Sequence, residues 1–332
     1  MPVIRNANIL STGAYAPDWV IPNSFFDELL GEPVDAWLRE NVQIYERRWC
    51  REGESTADLA EKAGRMALER AGIDPSELDL VLVSTDTPEY LSPSTAVVVQ
   101  HRLGAKNAGS FDINTACAGF VTALDIGAKF IRADENYRYV LVIGAYAMSK
   151  YLNKADKKTV TLFADGAGAV LLAPDDREGF GVIASELISE GQYHEWMGIF
   201  GGGARMPADE QVLARHDHQL KFLAKFPPEL NPEHWTAMSH TLSQRIGVPV
   251  TDVNHFFITQ ININSIWETL DRLGVPRQRA HTIMHYYGYT GSACIGMALN
   301  DAWEKGKLQP GDLLFCIGSG GGLAFASAAV RL

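Results

Sequence analysis

Apolar positions recur at helical spacing through residues 55–71, from Ser55, which can cap the first turn, to Gly72, which ends it. The run that follows, Leu78-Asp79-Leu80-Val81-Leu82-Val83-Ser84, is too short and too apolar for a lone helix and predicts a buried strand. Residues 137–144 predict a second strand of that kind, and residues 121–132 an apolar-rich helix. Residues 160–172, interrupted by Asp165-Gly166-Ala167-Gly168, read as two strands around a glycine-rich connection. Helices and strands alternate along much of the chain, which predicts an α/β fold.

The pattern also repeats. The stretch beginning Gly72-Ile73-Asp74-Pro75 and ending Leu80-Val81-Leu82-Val83 resembles Gly247-Val248-Pro249-Val250 through His255-Phe256-Phe257-Ile258, 175 residues further on. At that spacing Cys117 falls on Ser292, and residues 139–144 resemble 313–318 in nearly the same register. Three matches in one register predict two copies of a single α/β unit. The expected halves are residues 1–180 and 181–332, divided near the Pro174-Asp175-Asp176-Arg177-Glu178-Gly179 turn. Residues 186–232, with Gly201-Gly202-Gly203 and Pro227-Pro228, fit neither copy and read as an insertion. A cleft between the halves is the expected site of chemistry.

Charge and cysteine content narrow the function classes. A net charge of −11 over 332 residues argues against nucleic acid or an anionic membrane surface as the main partner. The four cysteines, Cys50, Cys117, Cys294 and Cys316, are scattered, with no spacing that suits zinc and no disulfide framework expected. No signal-peptide layout and no apolar run of about 18 residues is present, so a cytoplasmic protein is expected.

Candidate chemistry centres on Cys117. It lies in Asp112-Ile113-Asn114-Thr115-Ala116-Cys117-Ala118-Gly119-Phe120, between a strand-like stretch and the helix over 121–132. Unpaired N–H groups and the helix dipole favour a thiolate at such a place. Small neighbours leave room for a substrate, so the thiol reads as a nucleophile able to form a thioester; the other reading is a buried structural cysteine.

Four motifs carry a resemblance to the ketoacyl-ACP synthase III family of the thiolase superfamily. They are the Cys117 segment, Phe163-Ala164-Asp165-Gly166-Ala167-Gly168-Ala169, Tyr287-Gly288-Tyr289-Thr290-Gly291-Ser292-Ala293, and Gly320-Gly321-Gly322 followed by Ala326-Ser327-Ala328. The resemblance implies the thiolase fold, five αβαβα layers built from two duplicated halves, in a homodimer. It implies that Cys117 accepts an acyl group from acyl-CoA or an acyl carrier protein, with no tightly bound cofactor, and passes it to a carbanion made by decarboxylating a malonyl thioester. The backbone N–H groups of Cys117 and Gly321 would form the oxyanion hole. The insertion and the 87–93 loop, which the family contributes across its dimer, would set acyl chain length.

The chain departs from that family at two catalytic positions. Thr259-Gln260-Ile261-Asn262 stands where a His-Gln-Ala-Asn motif is expected, putting Thr259 at the His and keeping Asn262. Gly288-Tyr289-Thr290 stands at a Gly-Asn-Thr motif, putting Tyr289 at the Asn. The hydroxyls of Thr259 and Tyr289 are donors and could replace the missing pair, but neither is a base at neutral pH. Of the other histidines, His255, His281 and His285 fall at neither position. On the CoA-binding side, Trp37 matches an adenine-stacking Trp, while Asn41 and Lys157 stand where basic residues, the second an Arg, are expected. Three functions follow: a condensing enzyme, a non-decarboxylating acyltransferase to an oxygen, nitrogen or sulfur acceptor, or a catalytically silent partner subunit.

Overall fold

The computed structural model describes residues 5–332. Its first sheet has five strands: β1 (Asn6–Tyr15), β2 (Leu80–Ser84), β3 (Gly109–Ile113), β4 (Val140–Ala147) and β5 (Asp165–Asp175), in the order β1-β5-β4-β2-β3. Four strands make the second: β6 (Gly181–Ser189), β7 (His255–Ile258), β8 (Leu313–Gly320) and β9 (Ala324–Arg331), in the order β6-β9-β8-β7. In each order the first three strands pair antiparallel and the third and fourth parallel, and in the first sheet β3 adds a further parallel neighbour to β2. Where β3 flanks β2, a single parallel bridge joins Phe256 to Ala280 beside β7. The two sheets therefore have one topology, drawn twice.

The helices repeat with them. Helix α1 (Thr56–Ala71) opens with a capping box between Ser55 and Asp58 and stops at Gly72, φ 67°. Helix α2 (Thr95–Leu103) and α1 pack on the outer face of the first sheet. Helix α3 (Gly119–Ala133) lies between the sheets. In the second half, α4 (Leu230–Ile246) also stops at a left-handed glycine, Gly247, φ 68°. It covers the second sheet with α5 (Ile263–Leu273) against it, while α6 (Cys294–Glu304) joins α3 in the central layer. That arrangement is the five-layered αβαβα thiolase fold.

Local features explain the spacing of 175 residues. A short 3₁₀ turn precedes β2 at Pro75–Glu77 and β7 at Val250–Asp252. Another opens α3 at Ala116–Ala118 and α6 at Gly291–Ala293. The strand residues of β4 and β8 are wholly buried, which accounts for their unbroken apolar runs.

Two boundaries differ from the sequence reading. Residues 160–172 are not two strands: a short helix, Lys157–Val160, leads into the single strand β5, whose glycines let α6 approach. A side chain at Gly168 would put its Cβ 2.2 Å from the Met297 nitrogen. The start of the expected insertion is also strand, because Glu186 to Ser189 pair with β9; the added segment is 190–229. It holds a two-stranded ribbon, Met197–Gly198 with Lys221–Phe222, and a short helix, Glu210–Ala214.

The halves meet through glycines. A Cβ at Gly144, on β4, would stand 2.2 Å from the Ser292 carbonyl oxygen, and one at Gly318, on β8, 2.9 Å from the Ala118 Cα. Each half's inner strand thus receives the other half's turn. Gly144→Ala is expected to destabilise the protein by about 1–3 kcal/mol through overpacking against backbone. Gly191→Ala, where nothing lies within 4 Å, should stay within about 0.5 kcal/mol of wild type. Urea unfolding midpoints check the pair, and equal midpoints would contradict the packing argument.

Candidate active site

Cys117 reaches the interior because the chain turns sharply after β3. Asn114 accepts the Ala116 N–H at 3.1 Å, and Ala116 adopts φ 46°, a left-handed conformation rare for a residue with a side chain. The matching residue of the other half is Gly291, φ 47°. The turn is therefore a property of the fold, and Ala116 bears its strain on the side that carries the thiol. The Cys117 side chain lies at the start of α3 and is only 3 % exposed.

The second half supplies the wall facing the sulfur. Gly320, ending β8, comes so close that a Cβ there would lie 2.7 Å from the Cys117 nitrogen and 2.4 Å from the Thr115 oxygen. Gly321 follows on the turn into β9 and lines the same cleft; among the described residues its N–H has no hydrogen-bond partner. Thr259, Ile261, Ser319 and Tyr289 line the cleft as well. The added segment closes it with Met197, Phe222, Phe226 and Pro227, an apolar side fit for an acyl chain.

Tyr289 is fixed at both ends of its peptide. Its N–H donates to the Leu162 carbonyl and its carbonyl accepts the Ala164 N–H, each at 2.9 Å. The Phe163-Ala164-Asp165 motif thus holds Tyr289, and Phe163 packs on its ring at 5.4 Å. Before it, Gly288 takes φ 64° against Arg47, whose buried guanidinium is held by Ile21, Asn23 and Thr161. Tyr289 and Cys117 line the same cleft from opposite halves.

Burial sets the electrostatics. It pushes the Cys117 thiol well above its ordinary range, and the Asp86 carboxylate adds to this; the nearby Tyr289 hydroxyl works the other way. Burial raises the Tyr289 phenol too, with the neighbouring Cys117 next in effect. The expected thiolate at a helix start is thereby corrected. The thiol stands at that start, but complete burial outweighs what a few N–H dipoles contribute.

Thr259 is differently occupied. Its N–H donates to the Ile317 carbonyl at 3.0 Å, and its hydroxyl oxygen accepts the Ser319 N–H at 2.9 Å. Its own O–H faces the Ser319 carbonyl at a loose 3.5 Å. This hydroxyl carries the β7–β8 pairing one step past the last ladder residue, holding the strand that leads to Gly321. Next to it, the buried Gln260 amide ties β7 to the turn before Tyr289, donating to the His281 carbonyl and accepting from the Ile283 and Met284 N–H groups. Sequence reasoning gave Gln260 no role, although its place in the motif beside Thr259 was visible.

The three expected CoA-binding residues do not line the cleft. Trp37 is 54 % exposed, Lys157 pairs with Glu32 at 3.0 Å, and Asn262 caps α5 by accepting the Asn264 N–H at 3.0 Å. Trp37 and Asn262 are nevertheless neighbours in one edge, because Asn264 donates to the Asn41 carbonyl at 2.7 Å and Asn41 donates to that of Trp37 at 3.0 Å. The histidines stand elsewhere: His255 beside Asp312, His281 on Asp301, and His285 on the Gln43 carbonyl. No described helix is long and apolar enough to cross a membrane.

Thr259→Val should leave the Ser319 N–H buried and unsatisfied, at a cost of about 1–3 kcal/mol. Thr259→Ser keeps the acceptor and should stay within about 1 kcal/mol of wild type. Denaturant titration separates the two, and a Val variant as stable as wild type would remove the positioning role.

Residues 111–191 match the family 3-oxoacyl-[acyl-carrier-protein (ACP)] synthase III, and residues 243–332 match 3-oxoacyl-[acyl-carrier-protein (ACP)] synthase III C terminal. The chain is 33% identical over 325 residues to a beta-ketoacyl-[acyl-carrier-protein] synthase III of Caldanaerobacter subterraneus, covering 98% of this chain and 97% of that one. It is 37% identical over 333 residues to an acetoacetyl CoA synthase of a Streptomyces species, covering 97% and 98%. The crystal structure of 3-oxoacyl-[acyl-carrier-protein] synthase III from Aquifex aeolicus superposes with a TM-score of 0.88 at 31% identity, covering 98% and 100%.

Proposed function

From the premise that this chain belongs to the 3-oxoacyl-ACP synthase III family of the thiolase superfamily, and is a transferase, we propose that it is an acyl-thioester condensing enzyme with Cys117 as the acyl carrier. The observation that carries the proposal is that Cys117, Tyr289 and Gly321, drawn from both halves, line one cleft. In the first half-reaction the sulfur attacks the carbonyl of an acyl-CoA or acyl-ACP. The carbonyl oxygen gathers negative charge between the N–H groups of Cys117 and Gly321, and the donor thiol leaves. In the second, a malonyl thioester loses carbon dioxide, and the carbanion attacks the acyl carbon to release a 3-oxoacyl thioester and free Cys117.

Tyr289 has the central part in the second half-reaction. With the sulfur acylated, its hydroxyl is free to donate to the enolate oxygen that decarboxylation creates. Thr259, whose oxygen already accepts from Ser319, serves to position the strand carrying Gly321. The relatives' names, both those of synthases that join acyl units, favour condensation over acyl transfer to oxygen, nitrogen or sulfur and over a silent subunit. Exposed Tyr90 and Leu91, on the 87–93 loop, and the open edge of β3 support a homodimer. For the donor, Trp37 offers an exposed ring to an adenine, whereas Lys157 is already engaged by Glu32.

Intact-protein mass measurement should show acyl mass on Cys117 after incubation with acyl-CoA or acyl-ACP, and its loss with carbon dioxide release on adding malonyl-ACP. Acylation without carbon dioxide release from any donor would sink the condensation reading. Tyr289→Phe keeps the ring and removes the donor, so acylation should proceed nearly unchanged while the second half-reaction slows about 10²–10³-fold. Equal slowing of both steps would point instead to a binding role for Tyr289.

A further inference from the structure

Tyr289 owes its place to residues 161–164, so whatever holds that segment also sets where the hydroxyl stands. The hydrogen bonds of the segment alternate in direction. Leu162 and Ala164 serve Tyr289, accepting its N–H and donating to its carbonyl, each at 2.9 Å, and Phe163 forms a parallel bridge with it. The Thr161 and Phe163 carbonyls are engaged from another quarter. Arg47 Nη2 donates to the first at 2.7 Å, and Trp49 Nε1 donates to the second at 3.0 Å.

Both of those donors come from one strand. Residues Glu46–Trp49 pair antiparallel with Trp19–Pro22 in a two-stranded ribbon. Successive side chains of a strand point to opposite faces, so Arg47 and Trp49 share one face and Glu46 and Arg48 the other. Burial follows the same alternation: Arg47 and Trp49 are buried, while Glu46 and Arg48 are half-buried. Behind them the ribbon is anchored. Asn23, itself buried, accepts Arg47 Nη2 at 2.8 Å and donates to the Asp35 carboxylate and the Ile44 carbonyl, each at 2.8 Å. The guanidinium lies over the Phe26 ring at 4.5 Å, and Trp49 packs edge-on against Trp19, Phe25 and Phe26.

Packing alone does not call for an arginine at this place. Burial lowers Arg47 to about 9, which leaves it charged at neutral pH. Well-packed apolar residues in the place of buried charges are often as stable or more so. What the guanidinium adds is direction. Its planar fork ties Asn23, the Ile21 carbonyl and the Thr161 carbonyl into one geometry, which a flexible side chain would not reproduce. Neither Arg47 nor Trp49 lines the cleft, so neither meets a substrate there.

We propose that Arg47 and Trp49 are positioning residues for the second half-reaction, holding the Thr161 and Phe163 carbonyls so that the Leu162–Ala164 clamp keeps the Tyr289 hydroxyl in the cleft. This role rests on Tyr289 being the donor to the enolate oxygen. Acylation of Cys117 relies instead on the N–H groups of Cys117 and Gly321, which the clamp does not carry. A loosened clamp therefore slows one step and spares the other. Displacing a reacting group by about 1 Å is enough to cost on the order of 10²-fold.

The experiment uses two mild variants. Trp49→Phe removes the N–H and keeps an aromatic ring, and Arg47→Lys keeps the charge without the fork. In each, single-turnover acylation by acetyl-CoA should match wild type, while discharge of the acyl-enzyme by malonyl-ACP slows about 10–10²-fold. Adding either change to Tyr289→Phe should slow discharge no further, because placement ceases to matter once the hydroxyl is gone. Equal slowing of both steps, or effects that multiply in the double variants, would mark a general structural role and overturn the proposal. Discharge at the wild-type rate in both single variants would overturn it too. Fluorine NMR of the protein with 3-fluorotyrosine in place of Tyr289 reads the placement without any reaction. Trp49→Phe and Arg47→Lys should shift or split that resonance, and an unmoved resonance overturns the brace. Tyr289→Phe discharging at the wild-type rate would sink the donor role of Tyr289, while the fluorine resonance would still decide whether Arg47 and Trp49 hold its ring.

Discussion

The structure depends on a close approach that glycine permits from both sides. Gly144 and Gly318 occupy corresponding places in the two sheets, and each admits the turn of the opposite half where any side chain would collide with backbone. Through this exchange the 116–118 turn lies against β8, with Gly320 beside the Cys117 nitrogen. A nucleophile built on the first half thereby meets an oxyanion site and a tyrosine built on the second. Packing at this density leaves no slack, so the register of each helix start against the opposite strand is fixed to within a side chain.

The same closeness explains the electrostatics. Enclosing Cys117 between two halves removes water, and removing water raises the thiol more than helix-end dipoles lower it. The protonated sulfur is then the resting form, and the site needs fixed donors. Tyr289 meets that need from a backbone clamp between Leu162 and Ala164.

Substrate shape is governed by a different part of the molecule. Residues 190–229 belong to neither repeat, and the apolar side chains Met197, Phe222 and Phe226 from that segment close the cleft. The duplicated frame supplies the reacting groups, and the added segment supplies the walls. The two can vary separately, because β6 and α4 hold the segment's ends while its interior lies outside both sheets.

The amino-acid sequence by itself determined the α/β class, the duplication at 175 residues, the helix end at Gly72, and the place of Cys117 at a turn before a helix. Those features are local: caps, short apolar runs and small residues act within a few positions of where they are written. The motifs around Tyr289 and Thr259 were legible as departures, but what each hydroxyl does was not. Thr259 turned out to accept from Ser319, sixty positions away, and Tyr289 to share a cleft with Cys117 across the two halves. The thiol's protonation was misjudged for the same reason, since burial is a sum over every element that packs around a group. Local sequence specified the elements and the nucleophile; which polar groups surround that nucleophile, and in what protonation state, was decided by contacts between residues far apart in the chain.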